Sequence, residues 1–175
     1  VIGMGAGVIY STLGGTHHTM EDVAVAGAVP NMTVVAPCDP AEMRLMTHWC
    51  ATQSTGPVYM RLGKAGEPDL TAKAVDKFEP GRIRYLQRGR DVALLSYGIT
   101  VEMANRVAAR LEAAGKSVSV ISCHTIKPLD RVEINQLQDN LAPEHPQKLM
   151  TAASQLLSQL THFAGVVIAS KRASG

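Results

Sequence analysis

The chain has 175 residues, 46% of them apolar, and a formal net charge of +2, enough for one domain or two small ones of roughly 100–150 residues each. So weak a charge, with only 4% aromatic residues, argues against nucleic-acid readers and membrane-surface binders. No run is long and apolar enough to span a bilayer and no signal peptide is visible; Cys38, Cys50 and Cys123 lack metal or redox spacing and read as reduced thiols of a cytosolic protein.

Residues 1–4 read as the end of a buried strand, and the first residue, Val1, falls straight into an apolar run, so the natural start is expected upstream. Gly3, Gly5 and Gly7 follow at period two. They do not make the dinucleotide pattern GxGxxG, because position 8 is Val. They are expected to allow close backbone approach. Next comes Gly14-Gly15-Thr16-His17-His18-Thr19-Met20-Glu21-Asp22, a glycine pair, two adjacent histidines and a helix start. Thr19 with Asp22 fits a capping box, opening a helix over about 20–28 that Pro30 stops. Helix starts attract anions, so this stretch reads either as a socket for hydroxyls or phosphate, or as a tight turn with solvated histidines.

Residues 32–36 form a short β-branched strand. Asp39, Pro40 and Glu42 are a helix start with N-cap, first-turn proline and closing acid. That helix is expected to reach about Thr52, with Met43, Met46, Trp49 and Cys50 on its inner face. Gly56-Pro57 turns the chain into a strand over 58–62. Arg61 stands at its carboxyl edge, where open parallel sheets bind ligands. Arg61 reads as a fork for phosphate or carboxylate, or as a solvated cation.

Residues 65–89 carry scattered charges, Gly66, Pro68, Pro80 and Gly81, and read as a linker leading into an irregular strand at about 82–86. A second unit follows. It has a buried strand over 91–98 and a helix from Thr100 to about Ala114, with Val101, Ala104, Val107, Ala108 and Leu111 at helical spacing. Gly115 ends that helix. A strand over 117–122, a loop over 123–130 holding His124, and a helix from Arg131 complete the unit. Strand, helix, strand at this spacing predicts parallel pairing with right-handed crossovers. An amphipathic helix is expected at 148–160 and a strand at 163–169, with Glu144-His145 between two prolines before them.

These motifs, in this order, resemble the transketolase family. Gly15-Thr16-His17-His18 with Glu21-Asp22, Pro30-Asn31-Met32, Ala36-Pro37 with Asp39 and Glu42, and the run Gly56 to Gly63 look like the back half of its pyrimidine-binding domain. Gly89-Arg90-Asp91, Ser96-Tyr97-Gly98 and Thr125-Ile126-Lys127-Pro128-Leu129-Asp130 resemble the start of its C-terminal domain. The doubled histidine is closest to split transketolase-like proteins. The implied fold is α/β, two parallel-sheet units. Residues 1–64 would be the pyrimidine-binding part, 65–89 a linker, and 90–175 a C-terminal-domain-like part that diverges past 141.

The resemblance implies a thiamine-diphosphate- and Mg²⁺-dependent transferase of two-carbon ketol units between phosphorylated sugars. His17 would be catalytic and substrate-binding, reaching sugar hydroxyls or phosphate. Arg61 would clamp the phosphate, with His18 as an accessory and Asp22 serving the helix start; His124 has no implied role. Cofactor-binding residues are not identifiable. The family's activating glutamate and ring-stacking aromatics would precede Val1, and the diphosphate and Mg²⁺ would be held by a partner domain or chain. Leu13 and Gly14 stand where transketolases proper carry an aspartate. The isolated chain is therefore expected to be inactive, working in a cytoplasmic homo- or hetero-oligomer. Two alternatives share the fold: a non-catalytic interaction or regulatory subunit, and a synthase resembling deoxyxylulose-phosphate synthase.

Overall fold

The computed structural model describes residues 1–71 and 77–140. The helix expected at 148–160, the strand at 163–169 and Glu144-His145 lie outside the described residues. Three short strands, β1 (Ile2–Gly3), β2 (Thr33–Val35) and β3 (Val58–Arg61), alternate with helices α1 (Asp22–Ala28) and α2 (Pro40–Thr52). They pair in parallel, Ile2 opposite Met60 and Thr33 opposite Val58. Strand, crossover helix and returning parallel strand are what the sequence pattern predicts. Val35, Met46 and Met60 form the centre of this unit's core.

The second sheet has the order β4-β6-β5, from β4 (Arg84–Gln87), β5 (Val92–Ser96) and β6 (Val118–Ser122). β5 and β6 are parallel, joined by α3 (Thr100–Ala113), whereas β4 runs antiparallel to β6. All five apolar positions expected on the inner face of α3 are buried. Gly89 lets the chain pass against the Val118 backbone, where any Cβ would collide.

The loop expected over 123–130 contains a further strand, β7 (Thr125–Lys127). It adds to the first sheet, antiparallel to β2, and α4 (Arg131–Asn140) follows. A three-residue strand whose partner lies some ninety residues earlier leaves no local periodicity to read. His124, expected as a loop histidine, is buried at the join: its carbonyl accepts from Ala36 N–H at 2.9 Å, and its ring lies 5.1 Å from Phe78. Phe78 in turn meets Trp49 of α2 edge-on at 5.3 Å.

A polar cluster ties the two sheets together. Asp39 caps α2 as expected, its Oδ1 accepting from Glu42 N–H at 2.8 Å. Its Oδ2 accepts from the N–H groups of Leu70 and Thr71, at 2.9 and 2.6 Å, and the Thr71 hydroxyl also donates to it. Glu42 is 1% exposed. It accepts from Cys38 N–H at 2.9 Å and from Arg84 Nε of β4 at 3.0 Å. Burial of this carboxylate corrects the expected inner stripe: Glu42 turns inward and Met43 outward, because the first turn of α2 faces the second sheet rather than its own core. Burial pushes the Glu42 carboxyl above its ordinary value, against the pull of Cys38 and Arg84. Asp39 is also desolvated, but its donors outweigh that and hold it below its ordinary value. Thr100 is the first residue of α3, where the helix is expected to begin, and its hydroxyl donates back to Tyr97 C=O at 2.7 Å.

Two outcomes follow from these buried groups. Glu42→Ala strands the Arg84 charge and should cost about 3–5 kcal/mol in urea unfolding, whereas a loss below 1 kcal/mol would mean that the Glu42–Arg84 pair does not hold the sheets together. Burial, followed by the nearby Arg84 charge and opposed by Glu79, lowers His124 from 6.5 to about 4. The unfolded chain then binds a proton that the folded chain refuses, so stability is full above pH 6.5 and falls as pH drops towards 4. A melting-temperature series over that window should show the fall in the wild type and a shallower one in His124→Gln.

Candidate functional site

The histidine stretch and the end of β3 come together at one edge of the first sheet. Gly5 and Ala6 N–H groups donate to the Gly63 and Leu62 carbonyls at 3.0 and 3.1 Å, laying the glycine run along the β3 exit. Gly7 then exchanges two backbone hydrogen bonds with Thr19, at 3.1 and 3.0 Å, which closes the intervening segment into a loop. That loop holds two 3-10 turns, Ser11–Leu13 and Gly15–His17. Thr19 is thus a bridge residue and not the expected helix cap; α1 begins after Glu21 without a side-chain cap.

Asp22 also differs from its expected part in the helix start. Its Oδ2 accepts from Arg61 Nε and from the Tyr59 hydroxyl, both at 2.8 Å. The Arg61 and Asp22 side chains are 13% and 7% exposed. Desolvation raises the Asp22 carboxyl, but Arg61 and Tyr59 outweigh it and hold it below its ordinary value. The same burial, with Asp22 alongside, lifts the Tyr59 phenol to about 12. Arg61 is therefore charge-balanced rather than a free cation. The pair uses Nε; among the described residues Nη1 and Nη2 make no hydrogen bond, so that edge of the fork is unspent. A Cβ at Gly7 would sit 3.6 Å from Arg61 Nη2, placing the guanidinium against the strand that carries the histidine loop. The Tyr97 ring, one residue past the end of β5, lies 5.8 Å from Arg61 Cζ.

His17 is exposed at the loop's end. Its Nδ1 is 3.0 Å from the Thr16 hydroxyl, which leaves Nε2 for a ligand. Its ring meets Tyr10 edge-on at 6.3 Å. His18 is half-buried, and its Nε2 and Asp22 Oδ1 are buried atoms without a hydrogen-bond partner among the described residues. Unmet buried polar atoms are costly unless something completes them. An exposed imidazole nitrogen, two unmet buried polar atoms and a fixed guanidinium are thus gathered between the histidine loop and the end of β3. The structure places the expected residues His17 and His18 on this loop and Arg61 at the end of β3, but Arg61 is held against Asp22 and is neither the free fork nor the solvated cation expected of it. Sequence reasoning misses Tyr59 and this partnership of Asp22 with Arg61, for which a separation of 39 residues gives no local signal.

A cleft of about 270 Å³ opens next to this cluster, between the start of α2 and the 63–67 loop. It is lined by Cys38, Asp39, Lys64, Glu67 and Ile99, and does not include His17, His18 or Arg61. The two cysteines near the join are inert: burial, first of all, lifts Cys38 far up and Cys123 to about 11. Among the described residues no group of three His, Cys, Asp or Glu side chains is placed to hold a metal, and no helix is long and apolar enough to cross a membrane.

Comparison with known proteins places this geometry. Residues 1–66 match the transketolase pyrimidine binding domain and residues 81–166 the transketolase C-terminal domain. The chain is 33% identical over 130 residues to an apulose-4-phosphate transketolase subunit of Phocaeicola vulgatus, covering 74% of this chain and 41% of that protein. It is 39% identical over 119 residues to the 1-deoxy-D-xylulose-5-phosphate synthase of Methylacidiphilum infernorum, covering 67% of this chain and 19% of that one. A solved structure described as "Split gene transketolase, inactive beta4 tetramer" superposes with a TM-score of 0.71 at 32% identity, over 95% of this chain and 55% of that one. Transketolase from Pichia stipitis, at 22% identity and a TM-score of 0.66, shares the fold. The chain spans about two fifths or less of these two curated relatives. With an α/β fold, both domain matches and these relatives in agreement, the chain belongs to the transketolase family.

Proposed function

We propose that this chain supplies the substrate-gripping part of a thiamine-diphosphate-dependent, transketolase-like transferase, completed by a cofactor-binding domain or subunit. The observation that carries this reading is the convergence of the histidine loop and Arg61 at the exit of β3, through Gly7, Thr19 and Asp22. The relatives named as a transketolase subunit and as a split-gene transketolase support an enzyme built from more than one chain. The name apulose-4-phosphate transketolase supports a sugar phosphate as substrate here. The cytoplasm is the proposed location, and a homo- or hetero-oligomer the proposed state.

The cofactor, when bound, supplies the carbanion chemistry. Among the described residues no group of three His, Cys, Asp or Glu side chains gathers around a metal position, and the relatives named as subunits of a larger enzyme support a second chain for the metal–diphosphate end. That end is therefore assigned to the partner, and no step is derived through it.

The side chains of this chain act on the sugar. His17 Nε2, with Nδ1 already engaged by Thr16, donates to or accepts from a sugar hydroxyl. Asp22 and Tyr59 fix the Arg61 plane before substrate arrives, so its Nη edge meets a phosphate with little ordering cost. The unmet His18 Nε2 and Asp22 Oδ1 are completed by the bound molecule or by the partner.

Two alternatives stay testable. The likeness to a structure described as inactive favours a chain that does nothing alone. The identity to a deoxyxylulose-phosphate synthase favours pyruvate as donor. In assays with a ketose phosphate donor, the chain alone should be silent and addition of a cofactor-binding partner should give turnover. In that assembly His17→Ala should lower kcat/KM by about 10²–10³-fold, the range of a lost polarising or proton-transfer group. Turnover only with pyruvate would select the synthase. Unchanged kinetics in His17→Ala would remove the site assignment.

A further inference from the structure

Asp22 holds the Arg61 guanidinium by one edge, through Nε. An edge contact sets the direction of the fork but leaves its plane free to tip. The face is met from elsewhere: the Tyr97 ring lies 5.8 Å from Arg61 Cζ, within cation–π reach. Tyr97 stands just past β5, in the second unit. Its residue is 37% exposed, so core packing does not put it there. The backbone around it is fixed instead. Tyr97 C=O accepts from the Thr100 hydroxyl at 2.7 Å, and Ser96 C=O accepts from Cys123 N–H at 2.7 Å. Gly98 follows at φ +56°, a conformation that favours glycine. Gly98 N–H donates to Ala36 C=O at 3.2 Å, and Ala36 N–H donates to His124 C=O at 2.9 Å. Ala36, just past β2, is thus bonded through both its amide and its carbonyl to the second unit, and the residue next to Tyr97 makes one of those bonds.

We propose that Tyr97 is a positioning residue of the substrate site, its ring holding the plane of Arg61, so that the second unit takes part in substrate recognition. Asp22 sets the direction of the guanidinium and Tyr97 its tilt, while the Nη edge stays open. The ring carries no net charge, so it restrains Arg61 without the neutralisation that a second carboxylate would bring. This inference rests on the proposed sugar-phosphate site.

Heteronuclear NMR of the full chain tests it at Arg61 itself. The Arg61 Nε–H signal, identified by its loss in Arg61→Lys, reads the restraint through its exchange with solvent. Tyr97→Leu should speed that exchange about two- to fivefold, the worth of one exposed cation–π contact. Tyr97→Phe, which keeps the ring, should leave it as in wild type. The Gly98 N–H should exchange at one rate in all three, which separates loss of the ring from loosening of the joint at Ala36. Calorimetric titration with fructose 6-phosphate should show a matching loss of affinity in Tyr97→Leu, and no further loss when the same change is made on Arg61→Met. Unaltered Arg61 Nε–H exchange in Tyr97→Leu, or faster exchange shared by Gly98 N–H, overturns the inference and leaves the site reading intact. An equal loss of affinity with and without Arg61 does the same. If the exchange responds as expected but wild type and Arg61→Met bind the sugar phosphate alike, the contact stands, the site reading falls, and the role of Tyr97 falls with it.

Discussion

Two carboxylates at the start of one helix govern this structure. Asp39 and Glu42 are four per cent exposed or less, and between them they bind the α2 start, the segment at residues 70–71, and Arg84 on the second sheet. A buried acid is tolerated only when its lone pairs are filled. These are filled by three stretches of chain far apart in sequence. None of those stretches can leave without stranding a charge, so the second sheet is fixed against the first, and β7 completes the first sheet from the far side. Lys127, at the end of β7, donates to the Gly27 and Val29 carbonyls at 2.8 and 2.7 Å. It thereby supplies the positive charge that the C-terminal end of the short helix α1 otherwise lacks. The other end of α1 carries Asp22, which holds Arg61. Lys127 thus bears on the candidate site through the seven-residue helix α1, and Tyr97, just past β5, bears on it directly over Arg61.

The site itself uses the same device on a smaller scale. Asp22 fixes Arg61 and Tyr59 with one oxygen and leaves the other unmet. Fixing a guanidinium this way lowers the ordering cost of binding but also cancels its charge.

Much of this fold is legible locally. Asp39 and Pro40 announce α2 to the residue, and the Val101–Leu111 stripe gives the buried face of α3. His17, His18 and Arg61 stand out because a paired histidine before a helix and an arginine at a strand end are local patterns. The departures share one cause. Asp22 and Glu42 both sit where a helix-start acid belongs, and each reads that way in its own neighbourhood. Their decisive partners, Arg61 and Arg84, lie 39 and 42 residues further on. Met43 reads as inward-facing for the same reason, since nothing nearby shows that Glu42 takes the buried place. β7 and the burial of His124 depend on pairing across the two units, which no window of sequence contains.

The central claim is that the histidine loop and the end of β3 grip one anion together. A crystal structure of this chain soaked with a ketose phosphate tests it most directly. The account predicts the phosphate within hydrogen-bonding distance of an Arg61 Nη atom, with a sugar hydroxyl or phosphate oxygen on His17 Nε2. A phosphate seated instead in the cleft between Cys38 and Glu67, with His17 and Arg61 untouched, would contradict it.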